Sequence, residues 1–291
     1  MLMREVISTL VGAPVYPIPL TACRVSRPYL LERAGISMNG TALLFAIPYL
    51  IAADAHAPER NLSLYAVPRD YHLYIKQLSE RVLPALREAF PALPCALFSD
   101  HSPLFEADAA ARAGMGVIGL NHMLITPTYG SFVFIAEVVV DADYATVTGQ
   151  APGAFPDTPP TCPGCGACIR ACPAIDPTGR MIRPCLSALT QQKKDLTEEE
   201  TRQLESHPLI WGCDTCQLVC PLNRAVLSGG HDTPIPFFRE SRMTRLTSEE
   251  LENMTDEAFA ERAFSWRGKA PLRRNLTIRA ESHMKTEEIP C

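Results

Sequence analysis

The chain has 291 residues, with 27 basic and 32 acidic side chains, a net charge of −5 at neutral pH and 47 % apolar residues. Those proportions describe a globular protein of about two domains and exclude a disordered chain or a strongly basic nucleic-acid binder. No run of about 18 uncharged apolar residues is present, so a multi-span membrane protein is excluded as well.

In chain order, residues 6–20 superficially resemble a signal peptide, and Leu20-Thr21-Ala22-Cys23 a lipoprotein cleavage box. Pro14, Pro17 and Pro19 break the apolar helix that such a segment needs, so a strand and turn are expected there. Residues 41–51 have the length of a buried strand, which Pro48 limits to an edge or a strand end. Residues 70–90 read as a helix, because Tyr71, Tyr74, Ile75, Leu78, Val82, Leu86 and Phe90 recur at spacings of three or four, with Pro84 as a kink. Residues 95–99 form a short strand. Ser102-Pro103 suits an N-cap and first helical position for a helix running through residues 106–113 and stopping at Gly114. Residues 131–141 are the strongest strand. The Pro- and Gly-rich stretch 149–166 reads as a linker. Thr197-x-x-Glu200 and Thr247-x-x-Glu250 are capping boxes.

Of 11 cysteines, eight lie between Cys162 and Cys220, and only Cys23 and Cys95 precede them. A dense block after a cysteine-poor stretch indicates a metal module in a reducing cytoplasm rather than a disulfide scaffold. The first motif is Cys162-x2-Cys165-x2-Cys168-x3-Cys172-Pro173. The second is Cys185, a long gap, then Cys213-x2-Cys216-x3-Cys220-Pro221. Three thiolates within seven residues wrap one cubane, and the cysteine before proline reaches the other, as in bacterial two-cluster ferredoxins. The pattern predicts one [4Fe–4S] cluster on Cys162, Cys165, Cys168 and Cys220, and a second on Cys172, Cys185, Cys213 and Cys216. Two four-cysteine zinc sites are the alternative, but zinc knuckles need neither the third cysteine nor the Cys-Pro endings. Cys23, Cys95 and Cys291 read as packing or incidental residues.

Gly114-Met-Gly116-Val-Ile-Gly119 matches G-x-G-x-x-G, but a helix precedes it and Pro127 soon follows, against a Rossmann turn. The glycines still imply close backbone approach, to packing atoms or to a flat cofactor. Asp100 stands at a strand end just before a helix, a place for a functional side chain or for a cap.

Taken together, Asp70-Tyr71-His72, Asp100-x-x-Pro103-x-x-Glu106, the segment from Ala113 to Gly119, Tyr129-Gly-Ser131-Phe-Val-Phe and Trp211-Gly-Cys213-Asp-x-Cys216 resemble the epoxyqueuosine reductases. The resemblance implies an α+β chain. It implies a nitroreductase-like cobalamin-binding domain over 1–155, a double [4Fe–4S] ferredoxin-like domain over 156–228 and a C-terminal helical segment over 229–291. It implies that epoxyqueuosine in the tRNA anticodon loop is reduced to queuosine, with electrons passing through the clusters to cobalamin. It matches Asp100 to the family's proton-donating aspartate and suggests cofactor contacts at Gly114, Gly116, Gly119, Asn121 and Ser131. A carboxyl with an ordinary pKa of about 3.9 needs burial to hold that proton at neutral pH. An electron donor such as flavodoxin or ferredoxin, a monomeric state, no membrane and a cytoplasmic location complete the expectation. Typical members read Gly-Trp-Ile-Gly-Lys where this chain has Gly116-Val117-Ile118-Gly119-Leu120, and continue into a helical-repeat extension after the point matched by Leu272 to Asn275. A corrinoid iron–sulfur reductase of a small molecule and a non-catalytic electron-transfer protein are the alternatives. Residues 262–279 hold six basic and no acidic side chains, for phosphate contacts or as a solvated surface.

Overall fold

The two longest apolar runs pair with each other along their whole length. In the computed structural model, which describes residues 2–176 and 178–287, β2 (Thr41–Pro48) lies antiparallel to β6 (Val133–Val140), from Thr41 opposite Val140 to Pro48 opposite Val133. β1 (Tyr16–Pro19) flanks β2 and β3 (Cys95–Phe98) flanks β6, in the order β1-β2-β6-β3. β2 is therefore an inner strand, almost wholly buried, which explains its unbroken apolar sequence. Pro48 is tolerated as its last residue. A small hairpin pairs β4 (Val117–Ile118) with β5 (Leu124–Ile125). With the helices this makes an α+β architecture.

The chain divides into two compact units, Met1–Pro48 with Tyr74–Cys165, and Tyr49–Leu73 with Gly166–Cys291. The first holds the sheet. Its core joins Ile18, Leu31, Leu44 and Val139 to Ala109, Ala110 and Ala111 of the helix Glu106–Arg112. Alanines let that helix approach closely.

Three local expectations are corrected in this unit. Residues 3–11 form a helix, because Met3, Ile7 and Val11 recur every four residues and are buried, and Gly12 closes it at φ 72°; the expected strand and turn follow only afterwards, as β1 and the turn Leu20–Ala22. The prolines that argue against a helix all lie beyond it. Ser102 caps nothing at a first helical turn. The helix begins at Glu106 after Phe105, and the Ser102 hydroxyl donates instead to the buried carboxylate of Glu137. The stretch 149–166 is not a loose tether either. Arg112 Nε donates to the Pro156 carbonyl at 2.6 Å, and Ile118 N–H to the Pro160 carbonyl at 2.8 Å.

In the second unit the segment Tyr49–Leu73 packs with the C-terminal half. Leu62 and Ala66 join Trp211, Leu246, Phe264 and Leu272 in one core. Leu62 bridges Trp211, and the N–H groups of Asn61 and Leu62 both donate to the Thr244 carbonyl. Residues 229–287 group with this unit. Both capping boxes are present, at Glu198–Glu205 and at Ser248–Asn253.

Candidate active site and cluster-ligand loops

Where β3 ends, the chain turns away from the sheet through Ser99, Asp100, His101 and Ser102. Ser99 Oγ donates to the Ile135 carbonyl at 2.6 Å, which ties the turn to β6. Asp100 has φ 64°, a left-handed conformation uncommon among non-glycine residues and most accessible to Asn and Asp. Its N–H donates to Glu106 Oε1 at 2.9 Å, so the first residue of the following helix fastens this position. From the other side, Arg27 Nη1 donates to the Ser102 carbonyl at 3.0 Å and Ser26 N–H to the Pro103 carbonyl at 2.7 Å.

Asp100 itself is exposed. The burial expected to keep it protonated is not supplied by the protein. Beside it stands His101, whose Nε2 lies 3.1 Å from the hydroxyl of Tyr29, an exposed ring (50 %). An exposed carboxyl, an imidazole and an exposed aromatic ring are side chains that suit a polar, partly flat ligand, so the surface is compatible with a corrin ring. Beneath the turn, Glu137 is wholly buried at the centre of β6, opposite Phe98 of β3 and Leu44 of β2. Burial pushes Glu106 up to about 7 and holds Glu137 well above the usual carboxylate range.

The five expected cofactor contacts lie in and after the 114–125 hairpin. A Cβ on Gly116 would collide with the Ile125 carbonyl, so this glycine serves the hairpin's own packing. Gly119 closes against Asn121 Oδ1, which also accepts from Met123 N–H at 3.4 Å. Gly114 is exposed, with open space where a Cβ would be, and Ser131 is buried.

The ten described cysteines form no disulfide, and Cys291 lies outside the described residues. Cys162 is anchored by its N–H to the Ile118 carbonyl at 2.9 Å. Cys168 lies in the helix Ala167–Ala171, and Cys172 ends it. Cys216 lies in Thr215–Leu218, and Cys220 opens the next turn. These two helices pack together, so the two Cys-Pro motifs lie side by side. Cys185 precedes the helix Leu186–Thr190. Eight cysteines in two motifs, each ending in Cys-Pro, are the donor set that two [4Fe–4S] clusters take. Cys23 is half-buried, and desolvation, with Glu137 and Asp108 adding and Arg112 opposing, pushes its thiol up to about 12, so it stays a packed thiol.

Sequence reasoning missed the group that fixes the second motif. Asp214, 1 % exposed, accepts from Arg60 Nη1 at 2.6 Å, from Leu64 N–H at 3.0 Å and from the Ser63 hydroxyl. Gly212, at φ 75°, has no room for a Cβ against Ser63. The basic run is committed to the same unit. Arg262 donates to the carbonyls of Val67 and Ser241, Lys269 to Met254, Arg274 to Gln192 and Lys194, and Arg279 to Pro208. Arg273 pairs with Glu252, and Arg267 stacks 3.9 Å over Trp266. The solvated-surface reading therefore fails at buried Arg262, and the phosphate reading finds these side chains already engaged.

Residues 161–223 match the 4Fe-4S double cluster binding domain. The chain is 33 % identical to epoxyqueuosine reductase of Listeria monocytogenes over 230 residues, 76 % of this chain and 57 % of that protein. It is 33 % identical to the Escherichia coli enzyme over 170 residues, 56 % of this chain and 41 % of that one. It thus spans about half the length of the curated relatives it matches. Its fold matches the epoxyqueuosine reductase of Streptococcus thermophilus with a TM-score of 0.68 at 23 % identity, covering 96 % of this chain and 80 % of that one. It also matches an epoxyqueuosine reductase solved with an epoxyqueuosine-modified tRNA-Tyr stem loop, with a TM-score of 0.70 at 22 % identity, covering 96 % and 80 %. Over the part they share, the chain belongs to the epoxyqueuosine reductase family.

Proposed function

We propose that this chain reduces epoxyqueuosine to queuosine in tRNA, using two [4Fe–4S] clusters and cobalamin, with Asp100 as the proton donor. Converting an epoxide to an alkene takes two electrons and two protons and releases the oxygen as water. Cobalamin, when bound, supplies the strongly reducing, nucleophilic metal chemistry that this reaction needs. The protein's part is to hold Asp100 where the oxygen departs. The observation that carries the reading is the Asp100 turn, an exposed carboxylate in a left-handed backbone conformation, fastened by Glu106 and flanked by His101 and the exposed Tyr29 ring. A cofactor covering that face would exclude water and supply the desolvation that exposed Asp100 lacks. Gly114, Gly116, Gly119, Asn121 and Ser131 are the proposed neighbours of the cofactor. The ligand sets are those that the cysteine spacing predicts. One cluster is held by Cys162, Cys165, Cys168 and Cys220, the other by Cys172, Cys185, Cys213 and Cys216. A soluble donor such as flavodoxin or ferredoxin would charge the clusters in the cytoplasm, and among the described residues no helix is long and apolar enough to cross a membrane.

A second reading is a corrinoid iron–sulfur reductase of a small molecule. It is favoured by the commitment of Arg262, Lys269, Arg273, Arg274 and Arg279 to contacts within their own unit, which withdraws the phosphate-binding row a tRNA enzyme would use. The two readings separate when the reduced, fully loaded protein is given tRNA containing epoxyqueuosine and, separately, the free nucleoside. Queuosine on the tRNA, detected by mass spectrometry, supports the first. Product from the nucleoside alone supports the second.

A further inference from the structure

Around the Cys-Pro ending of the second motif, the usual partition of side chains is reversed. Gln217 and Asn223 are buried, and Asn223 Nδ2 donates to the Gln217 carbonyl at 2.8 Å. The Asn223 N–H donates to the Cys220 carbonyl at 3.0 Å, so the turn is closed from within. Leu218, Val219 and Leu222, on either side of Cys220, are left 36 %, 40 % and 43 % exposed. Buried polar side chains beneath a group of exposed large apolar ones mark a contact face rather than a solvated surface. Along this face runs a groove of about 330 Å³, lined by Leu218, Val219, Cys220, Arg224, Leu227 and His56 among others. His56 Nε2 donates to the Leu227 carbonyl at 3.1 Å, which fixes that ring in the groove. All of these residues belong to the second unit.

We propose that a small acidic one-electron carrier protein docks on this face, and that electrons enter through the cluster to which Cys220 contributes. Three features select that occupant. Cys220 itself lines the groove, so a partner seated there lies against a cluster ligand. Among the described residues no acidic side chain lines the groove, whereas exposed Arg224 does. An acidic rim on the partner complements that cation, and the local attraction offsets the repulsion from a chain of net charge −5. The face is also small, far short of an obligate interface and of the size that weak redox encounters use. Each encounter moves one electron, oxidising the carrier by one and taking a [4Fe–4S]²⁺ cluster to [4Fe–4S]⁺. Two encounters supply the two electrons that epoxide reduction takes. The docking site rests on the proposed electron path through the clusters and names where that path begins.

The test uses the full chain with its clusters counted and without cobalamin or substrate, so it does not depend on turnover. Reduced flavodoxin, an acidic one-electron carrier, is the probe, and stopped-flow absorbance follows the bleaching of the clusters under anaerobic conditions. Dithionite, a small reductant that needs no docking face, is the control. Leu222→Glu sets a charge in the apolar face, and Arg224→Glu reverses its cation. Each should slow reduction by flavodoxin at least about tenfold, with iron content and reduction by dithionite unchanged. In the parent the rate should fall as salt rises, and Arg224→Gln should flatten that dependence. Met181→Glu changes another exposed apolar side chain, shortly before Cys185 of the other ligand set, and should leave the rate within about twofold. Arg224→Glu, a surface change outside the run from Cys213 to Cys220, decides alone if Leu222→Glu loses iron. Reduction of Arg224→Glu at the parent rate overturns the proposal. Slowing by Met181→Glu alone overturns it too, since entry is then at the other cluster. A parent dimer in sedimentation that Leu222→Glu dissociates also overturns it, because the face then joins two copies. A parent that dithionite reduces and flavodoxin does not overturns the docking site and leaves the clusters of the proposed function standing. A parent that takes up no iron on reconstitution overturns both.

Discussion

Replacing Asp214 by alanine should be among the most damaging single changes available in the second unit. The side chain is 1 % exposed and its partner Arg60 9 %, with 2.6 Å between charged atoms. The substitution strands the guanidinium and leaves the Leu64 N–H and the Ser63 hydroxyl without their acceptor. Breaking a buried ion pair on one side costs about 3–5 kcal/mol. Arg60 Nη1 keeps the Leu62 carbonyl at 2.6 Å, which places the arginine's share at the low end, while an orphaned N–H adds about 1 kcal/mol or more. A loss of about 4 kcal/mol is large beside a total stability of about 5–15 kcal/mol. At about 2–4 °C per kcal/mol for a unit of this size, the melting transition should drop by about 8–16 °C. Asp214→Asn retains one acceptor oxygen and should lose about half as much. Because Asp214 lies between Cys213 and Cys216, iron content should fall with stability. The assay is thermal denaturation followed by circular dichroism, paired with iron analysis under anaerobic conditions. An alanine variant that melts within about 2 °C of the parent with its full iron would show that the network does not hold the ligand loop.

Crossed ligation predicts that Cys172→Ala damages the cluster held by Cys213 and Cys216 and spares the other, as iron counting and electron paramagnetic resonance would show. Loss of the Cys162 cluster instead would mean uncrossed ligation. Arg274→Ala should destabilise by about 1–3 kcal/mol, since its guanidinium serves carbonyls at the end of the Leu186–Thr190 helix. Arg273→Ala, which breaks an exposed pair with Glu252, should cost under about 1 kcal/mol, and equal melting shifts for the two would contradict this division.

The cysteine motifs were legible in sequence because cluster ligation is written in local spacing, and the capping boxes for the same reason. The long strands were legible because buried β2 and β6 need long apolar runs, in β6 interrupted only by Glu137. Ser102 misled because serine before proline is a frequent helix start, while its actual partner, Glu137, lies 35 residues away. The Asp214 network has no local signature at all, since it is assembled by tertiary contact; Asp214 meets Arg60 across 154 residues. The N-terminal helix was hidden by prolines that begin only after Gly12. The grouping of residues 49–73 with the C-terminal half depends on core contacts such as Leu62 with Trp211, which no linker composition announces.

The most direct measurement compares the parent with Asp100→Asn, both carrying full clusters and bound cobalamin, on tRNA containing epoxyqueuosine. Both proteins should reduce the bound cobalamin, seen in the visible spectrum. The parent should form queuosine by mass spectrometry, and the variant should be slower by about 10²-fold or more. Equal rates, or no queuosine from the fully loaded parent, would contradict the assignment of Asp100 as proton donor in an epoxyqueuosine reductase.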